Sequence, residues 1–346
     1  MCWRWPKAVS SAERPSRLTL NLNLSLTLAL WGGGSPKLPI ARCPLPGARR
    51  PAGAGRAGRA AGQPQVPGFP LLETNGRGSV FEMHPIERLR WIARAHGEAP
   101  TTLATEAAWT ISELALDEPP ALVTACRRLL ESHVTVGPLW WVAANVLVAP
   151  DPDEAARRAV GELSSDPTAE LLAEALGQRL VGDAALVVAC PADTVREALG
   201  YLPAAVVRVV GYSPELRSEV RGFARLVEEA SGWEFDEAPE AVNGAALVLV
   251  EALAAGPRGI LIAAEAMPLV RAASAGSIPV WAVAGVGRVL NDQLLGEMLR
   301  RAGDTVELIE PDALDGLAGP AGLENPGEAL GRPCCPSAPE LLVRAG

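Results

Sequence analysis

The chain has 346 residues, 49% of them hydrophobic and 4% aromatic, enough apolar mass for one large domain or two ordinary ones. Its charge is split: residues 1–82 carry 11 Lys and Arg against 3 Asp and Glu, and the remainder carries 20 against 37. An acidic body with no basic stripe excludes nucleic acid as a main partner, because phosphate contacts need clustered Lys and Arg.

Six cysteines lie scattered at 2, 43, 126, 190, 334 and 335, with no CxxC or Cys/His pair at metal spacing and three histidines in all. No metal and no cofactor is expected, and a reducing, cytoplasmic setting fits this usage. Cys334 and Cys335 are expected to stay free rather than bridge each other.

Residues 1–82 do not read as folded protein. The tract RRPAGAGRAGRAAGQPQ at 49–65 has no hydrophobic period. Leu18–Trp31 alternates Leu with polar residues and is too short and too polar to span a bilayer, so no membrane partner is expected. Arg4 and Lys7 precede it as in a secretory signal, but Asn and Ser interrupt the apolar run. The expectation is a disordered extension, or residues read from an early start codon with the natural start at Met83.

From Met83 to about residue 177 the pattern is helical. Pro85, Pro119, Pro152 and Pro167 each sit where a first turn begins, and Asp151 and Asp166 stand directly before a proline as caps. Apolar residues recur at helical spacing in Leu103/Ala107/Ile111/Leu114 and Leu139/Val142/Val146, predicting roughly six amphipathic helices. Of the adjacent Trp140 and Trp141 one is expected to face the bundle and the other a second surface such as a subunit partner.

After Gly182 strands and helices alternate. Ala184–Ala189 and Val206–Val210 read as strands, Ala192–Leu199 and Pro214–Ala230 as helices, the latter with Leu216, Val220, Phe223 and Val227 on one face. Three apolar runs bounded by Gly or Pro follow, Ala246–Val250, Gly259–Ala264 and Ile278–Ala284, with a helix over Met267–Ala275 between the last two. All three are expected in one mostly parallel sheet. Helix Asp292–Ala302, strand Thr305–Ile309 and a tail ending in PSAPELL complete the chain. Ligands in such sheets sit at the carboxyl ends of strands, which points to the turn Glu251–Arg258 and the helix start Glu265–Pro268.

Four stretches, LLESHVTVGPLWWVAANVL at 129–147, LVVACPADTV at 186–195, residues 246–283, and Pro336–Leu342, occur in an order that resembles one family. It comprises the alpha, beta and delta subunits of translation initiation factor 2B with methylthioribose-1-phosphate and ribose-1,5-bisphosphate isomerases. The resemblance implies an α/β fold: a helical N-terminal domain, 83–180, followed by a Rossmann-like, mostly parallel sheet with flanking helices, 181–346, ending in a tail. It also implies a homodimer and a small phosphorylated metabolite or nucleotide as ligand.

The family's isomerases move a carbonyl along a phosphorylated sugar, which needs a proton-transfer pair and groups that hold phosphate. Here Cys190 stands where the isomerases keep their catalytic cysteine. The aspartate of "GAD" falls on Leu253, the asparagine of "NG" on Arg258, and "NKIGT" becomes Ala263–Met267, with Glu265 inside it. The arginine of "RPT" becomes His133, two residues before Thr135, and that of "TRP" becomes Ser213. Leucine transfers no proton, and a carboxylate at Glu265 repels phosphate.

Candidate catalytic residues are therefore Cys190 and Glu251, and candidate ligand contacts are His133, Thr135, Ser213, Arg258 and Glu265. Each has a plainer reading. Cys190 is a small buried thiol, His133 a helix cap or backbone partner, Glu251 the partner of Arg258 or Arg288, and Arg258 a solvated turn residue. The sequence thus predicts a non-catalytic metabolite-binding or regulatory protein with the catalytic set eroded. The alternatives are a sugar-phosphate isomerase using Cys190 with Glu251 or Glu265, and a structural subunit that assembles with a partner.

Overall fold

The computed structural model describes residues 83–180, 184–202, 205–211, 213–332 and 335–343. The expectations for residues 1–82 and for Cys334 lie outside the described residues.

Six helices come first: α1 Pro85–Ile92, α2 Pro100–Asp117, α3 Leu122–Ser132, α4 Gly137–Val148, α5 Pro152–Ser164 and α6 Thr168–Arg179. Proline opens α1, α2, α4 and α5, where its missing N–H costs nothing. The Asp151 carboxylate caps α5 by accepting from the Glu154 amide at 3.1 Å. Helices α1 to α5 share one apolar core, whereas α6 packs on the sheet through Ala169, Leu172, Ala173 and Leu176.

Helix α4 is the centre of this first cluster, with nine of its twelve residues buried, so it is covered on every side. Trp140 and Trp141 are both inside, at 0% and 6% exposure. This corrects the expectation that one of them serves an outer surface. The second surface is within the chain: Trp141 packs beside the loop at Gly287, where an added Cβ would come within 3.3 Å of its ring. Trp140 donates its indole N–H to the Val134 carbonyl at 2.8 Å and lies under the Arg301 guanidinium.

The chain then alternates: β1 Ala185–Ala189, α7 Asp193–Leu199, β2 Val206–Gly211, α8 Ser213–Phe223, β3 Glu229–Glu234, α9 Ala238–Ala241, β4 Ala245–Glu251, β5 Ala254–Gly256, β6 Gly259–Ala263, α10 Met267–Ala275 and β7 Val280–Val283. It closes with α11 Asp292–Ala302, β8 Val306–Ile309, β9 Gly316–Gly319, β10 Gly322–Glu324, α12 Pro326–Leu330 and a 3-10 turn at Pro339–Leu342. A seven-stranded sheet has the order β10-β9-β7-β4-β1-β2-β3, parallel except for the β9–β10 hairpin. Val187 and Ala189 of β1 and Val248 and Val250 of β4 face α9 and α10, while Leu186, Val188, Leu247 and Leu249 face α6, α7 and α8. Burial on both faces is why these strands are continuous apolar runs.

Two expectations fail locally. Strand β6 does not join the main sheet; it pairs antiparallel with β5 and β8 in a separate three-stranded sheet. The cause is the two-residue turn Pro257–Arg258 between paired Gly256 and Gly259, which reverses the chain and rules out a parallel crossover. The helix expected to reach Ala230 ends at Phe223, and β3 follows as an edge strand against β2. Its half-exposed sequence EASGWE lacks the apolar run that marks a central strand.

Candidate functional site

Strand β1 is followed outward by β2 and β3, and the chain then returns to place β4 on the other side of β1. Connections leaving β1 and β4 diverge at such a switch point, so the crevice opens at their carboxyl ends. It is lined there by Ala189, Cys190, Pro191 and Asp193 after β1, by Val250, Glu251 and Leu253 after β4, and by Pro100, Ile262, Ala263, Ala266 and Arg288. The cavity left is about 40 Å³. That holds a water or two, whereas a small-molecule site needs roughly 300 Å³ or more.

What fills the crevice is the chain itself. The Glu251 carboxylate accepts from the Thr194 amide and hydroxyl, both at 3.0 Å, and pairs with the Arg288 guanidinium at 2.5 Å. Arg288 also donates to the Ala252 carbonyl. Their side chains are 5% and 3% exposed, so the ion pair is withdrawn from water and its two groups satisfy one another. The donors that an α/β fold commonly turns toward a ligand's phosphate, a helix-start amide and an arginine, are here taken by an internal carboxylate.

Arg288 reaches the crevice from the loop after β7. That loop is fixed at several points. The Asp166 carboxylate accepts from the Val286 amide at 2.7 Å, and the Ala255 and Leu290 amides bond to the Arg288 and Ala255 carbonyls, each at 2.7 Å. Gly287 takes φ +79°, the left-handed region that suits glycine, with Pro138 and Trp141 directly against it. The start of α4 closes the other side: the Gly137 amide donates to the Leu253 carbonyl at 3.1 Å.

Cys190 opens the turn between β1 and α7, and its amide donates to the Val210 carbonyl at 2.8 Å. Burial pushes the thiol well above its ordinary value; Glu219, Asp193 and Glu251 push it further and Arg196 pulls it back. At neutral pH it is therefore a thiol, a weak nucleophile and a poor base. Burial likewise raises the Glu251 carboxyl, with Arg288 and the Thr194 hydrogen bonds opposing. The carboxylates of Asp193, Glu219 and Glu251 surrounding Cys190 make the place unfavourable for a phosphate.

Among the described side chains, none of the other candidates lines the crevice with Cys190 and Glu251. His133 ends α3 and its Nε2 is 2.8 Å from the Ile92 carbonyl, joining α3 to α1. Thr135 is half-buried in the turn before α4. Ser213 opens α8 beyond β2; its side chain lies outside the described atoms. Arg258, in the β5–β6 turn, donates to the Asp292 carboxylate at 2.6 Å and to its carbonyl at 3.1 Å. Glu265 is exposed in the 3-10 turn before α10. Leu253 does line the crevice, with a side chain that transfers no proton.

Arg288, Thr194 and Asp193 are the site residues that motif reading did not single out as a group. The signal for two of them was local, since Asp193–Thr194 follows Pro191–Ala192 at a helix start. Arg288 entered the sequence reading only as one of two possible partners of Glu251; the fold selects it over Arg258, which pairs with Asp292 instead.

Among the described residues, no group of three or more His, Cys, Asp or Glu could hold a metal ion, and no helix is long and apolar enough to cross a membrane. No protein-family model and no curated protein matches the sequence. Solved structures do. The Pyrococcus horikoshii OT3 translation initiation factor eIF-2B superposes with a TM-score of 0.57 at 15% identity, over 71% of this chain and 98% of that one. The tetrameric eIF2B-beta2-delta2 complex from Chaetomium thermophilum contributes a chain with a TM-score of 0.53, 15% identity, and coverage of 70% and 92%. The 5-methylthioribose 1-phosphate isomerase of Pyrococcus horikoshii OT3 follows at 0.50, 14% identity, and coverage of 70% and 85%. The chain thus has the fold shared by eIF2B subunits and that isomerase, as the motif order had implied.

Proposed function

We propose that this protein is a non-catalytic binding or regulatory protein built on the initiation-factor-2B and sugar-phosphate-isomerase fold, with a Rossmann-like α/β part and a helical part before it. The observation that carries the reading is the closed crevice. About 40 Å³ remains where a sugar phosphate would have to sit, and Glu251 occupies the Thr194 and Arg288 donors. Leu253 and a protonated Cys190 supply no acid–base pair. A cytoplasmic homodimer goes with this reading, and assembly of a neighbour of the same fold into a tetrameric complex supports association as its mode of action.

A second reading, a sugar-phosphate isomerase, is favoured by one observation: Cys190 and Glu251 line the same crevice. Thermal unfolding of the full chain against sugar phosphates, nucleoside phosphates and nucleotides separates the two. A ligand held by the folded state at about 100 times its Kd adds about 2.7 kcal/mol. The non-catalytic reading expects no shift with pentose phosphates such as methylthioribose 1-phosphate, whether or not a nucleotide or other metabolite binds elsewhere. A shift with a pentose phosphate that Glu251→Gln abolishes would overturn it.

A further inference from the structure

A larger space lies away from the crevice, on the first helical cluster. A groove of about 440 Å³ runs between α1 and α3, within the size range of small-molecule sites. Its floor is apolar, with Leu89 and Leu129 buried beneath it, and its rim carries Arg90, Arg94 and Arg128 against the single carboxylate Glu131. Arg90 pairs with Glu87, but the side chains of Arg94 and Arg128 make no ion pair or hydrogen bond among the described residues.

Residues 83–346 hold 37 acidic and 20 basic groups, so Arg94 and Arg128 beside the one carboxylate Glu131, with Arg90 paired to Glu87, make this groove locally basic on an acidic body. Arginines whose charge is not used internally, standing above an apolar floor, match a ligand with an anionic head and an apolar tail. The basic segment 1–82 is the wrong sign for this rim.

We propose that the groove between α1 and α3 binds a soluble single-chain amphiphile ending in a carboxylate or phosphate, its chain on Leu89 and Leu129 and its head at Arg94 and Arg128. The site is separate from the β1–β4 crevice and does not depend on whether that crevice is catalytic.

The test is calorimetric titration of the full chain with decanoate and decyl phosphate, with decanol and decyltrimethylammonium as neutral and cationic controls. Saturable binding of the anions is expected, with at least tenfold weaker binding of both controls. The exposed double substitution Arg94→Glu with Arg128→Glu should weaken the anions at least tenfold, leaving the circular dichroism spectrum and melting temperature unchanged. Equal binding of decanol and decanoate would overturn the proposal, as would anion binding indifferent to the double substitution, or no saturable binding at all. Binding only to anionic vesicles would also overturn it. So would a change in sedimentation mass in the double variant without any effect on ligand, which would make the groove a contact between copies of this chain.

Discussion

Glu251 and Arg288 show how one residue pair changes the meaning of a site. Each charge alone would be costly at this depth, and the pair is tolerated because each satisfies the other and Thr194 completes the carboxylate's hydrogen bonds. Removing one partner should leave the other stranded. Glu251→Gln and Arg288→Met are each expected to cost about 3 kcal/mol in urea unfolding, and the double substitution to recover most of that loss. Additive losses in the double variant would show that the two groups are not coupled.

The thiols make a second residue-scale prediction. Burial raises Cys126 from 9.0 to about 12, and Cys190 is raised in the same direction. A folded-state value above the unfolded one gives stability that is complete below the unfolded value and is lost as pH rises toward the folded one. Stability should therefore fall above about pH 9, by up to about 1.4 kcal/mol per pH unit for each thiol. With two lysines and two tyrosines in the whole chain, the other groups that titrate there are mainly the four remaining cysteines. Urea midpoints followed from neutral to alkaline pH should show this fall, and Cys126→Ala should make it shallower. A slope unchanged in that variant would contradict the assignment. In the sequence, Cys190 and Glu251 could be placed at strand ends from their flanking apolar runs. Their chemistry could not, because it depends on neighbours such as Glu219, Arg196 and Thr194 that only the fold brings close, and on a choice between Arg258 and Arg288 that the sequence left open.

At the scale of elements, two glycines test how the crevice is held shut. A Cβ at Gly137 would collide with the Leu253 carbonyl oxygen, so Gly137→Ala must push α4 off the strand end. The expected loss is about 2 kcal/mol in thermal or urea unfolding. Gly259 combines φ +135° with a collision against the Ile309 carbonyl, and Gly259→Ala is expected to cost about 3 kcal/mol by uncoupling β6 from β8. Either variant remaining as stable as the parent would contradict these contacts. Helices were the most legible elements: α10 and α11 fall on the predicted Met267–Ala275 and Asp292–Ala302, because proline or a capping Asn291 starts them and glycine follows them. Strands buried on both faces were legible as apolar runs. Strand β3, three-residue β5 and the Gly-rich β9–β10 hairpin were not, since short or half-exposed strands carry little periodic signal.

At the scale of the molecule, the parallel sheet and its switch point put a crevice where α/β proteins bind ligands, and the sequence has used that place for packing and an internal ion pair. The same chain carries an acidic excess over residues 83–346 and a separate arginine-rimmed groove. The fold was legible because it rests on periodicity and on the order of motifs. The closure was not, because it needs Gly137, Asp166 and Arg288, which converge on the sheet edge from distant parts of the sequence.

The most direct test of that account is a turnover assay of the full chain with phosphorylated pentoses, following aldose–ketose conversion over long incubation at high protein concentration. The closed crevice predicts no conversion above the uncatalysed rate, and none in Cys190→Ser or Glu251→Gln. Conversion by the parent chain that both substitutions abolish would contradict it, and would make Cys190 and Glu251 an acid–base pair after all.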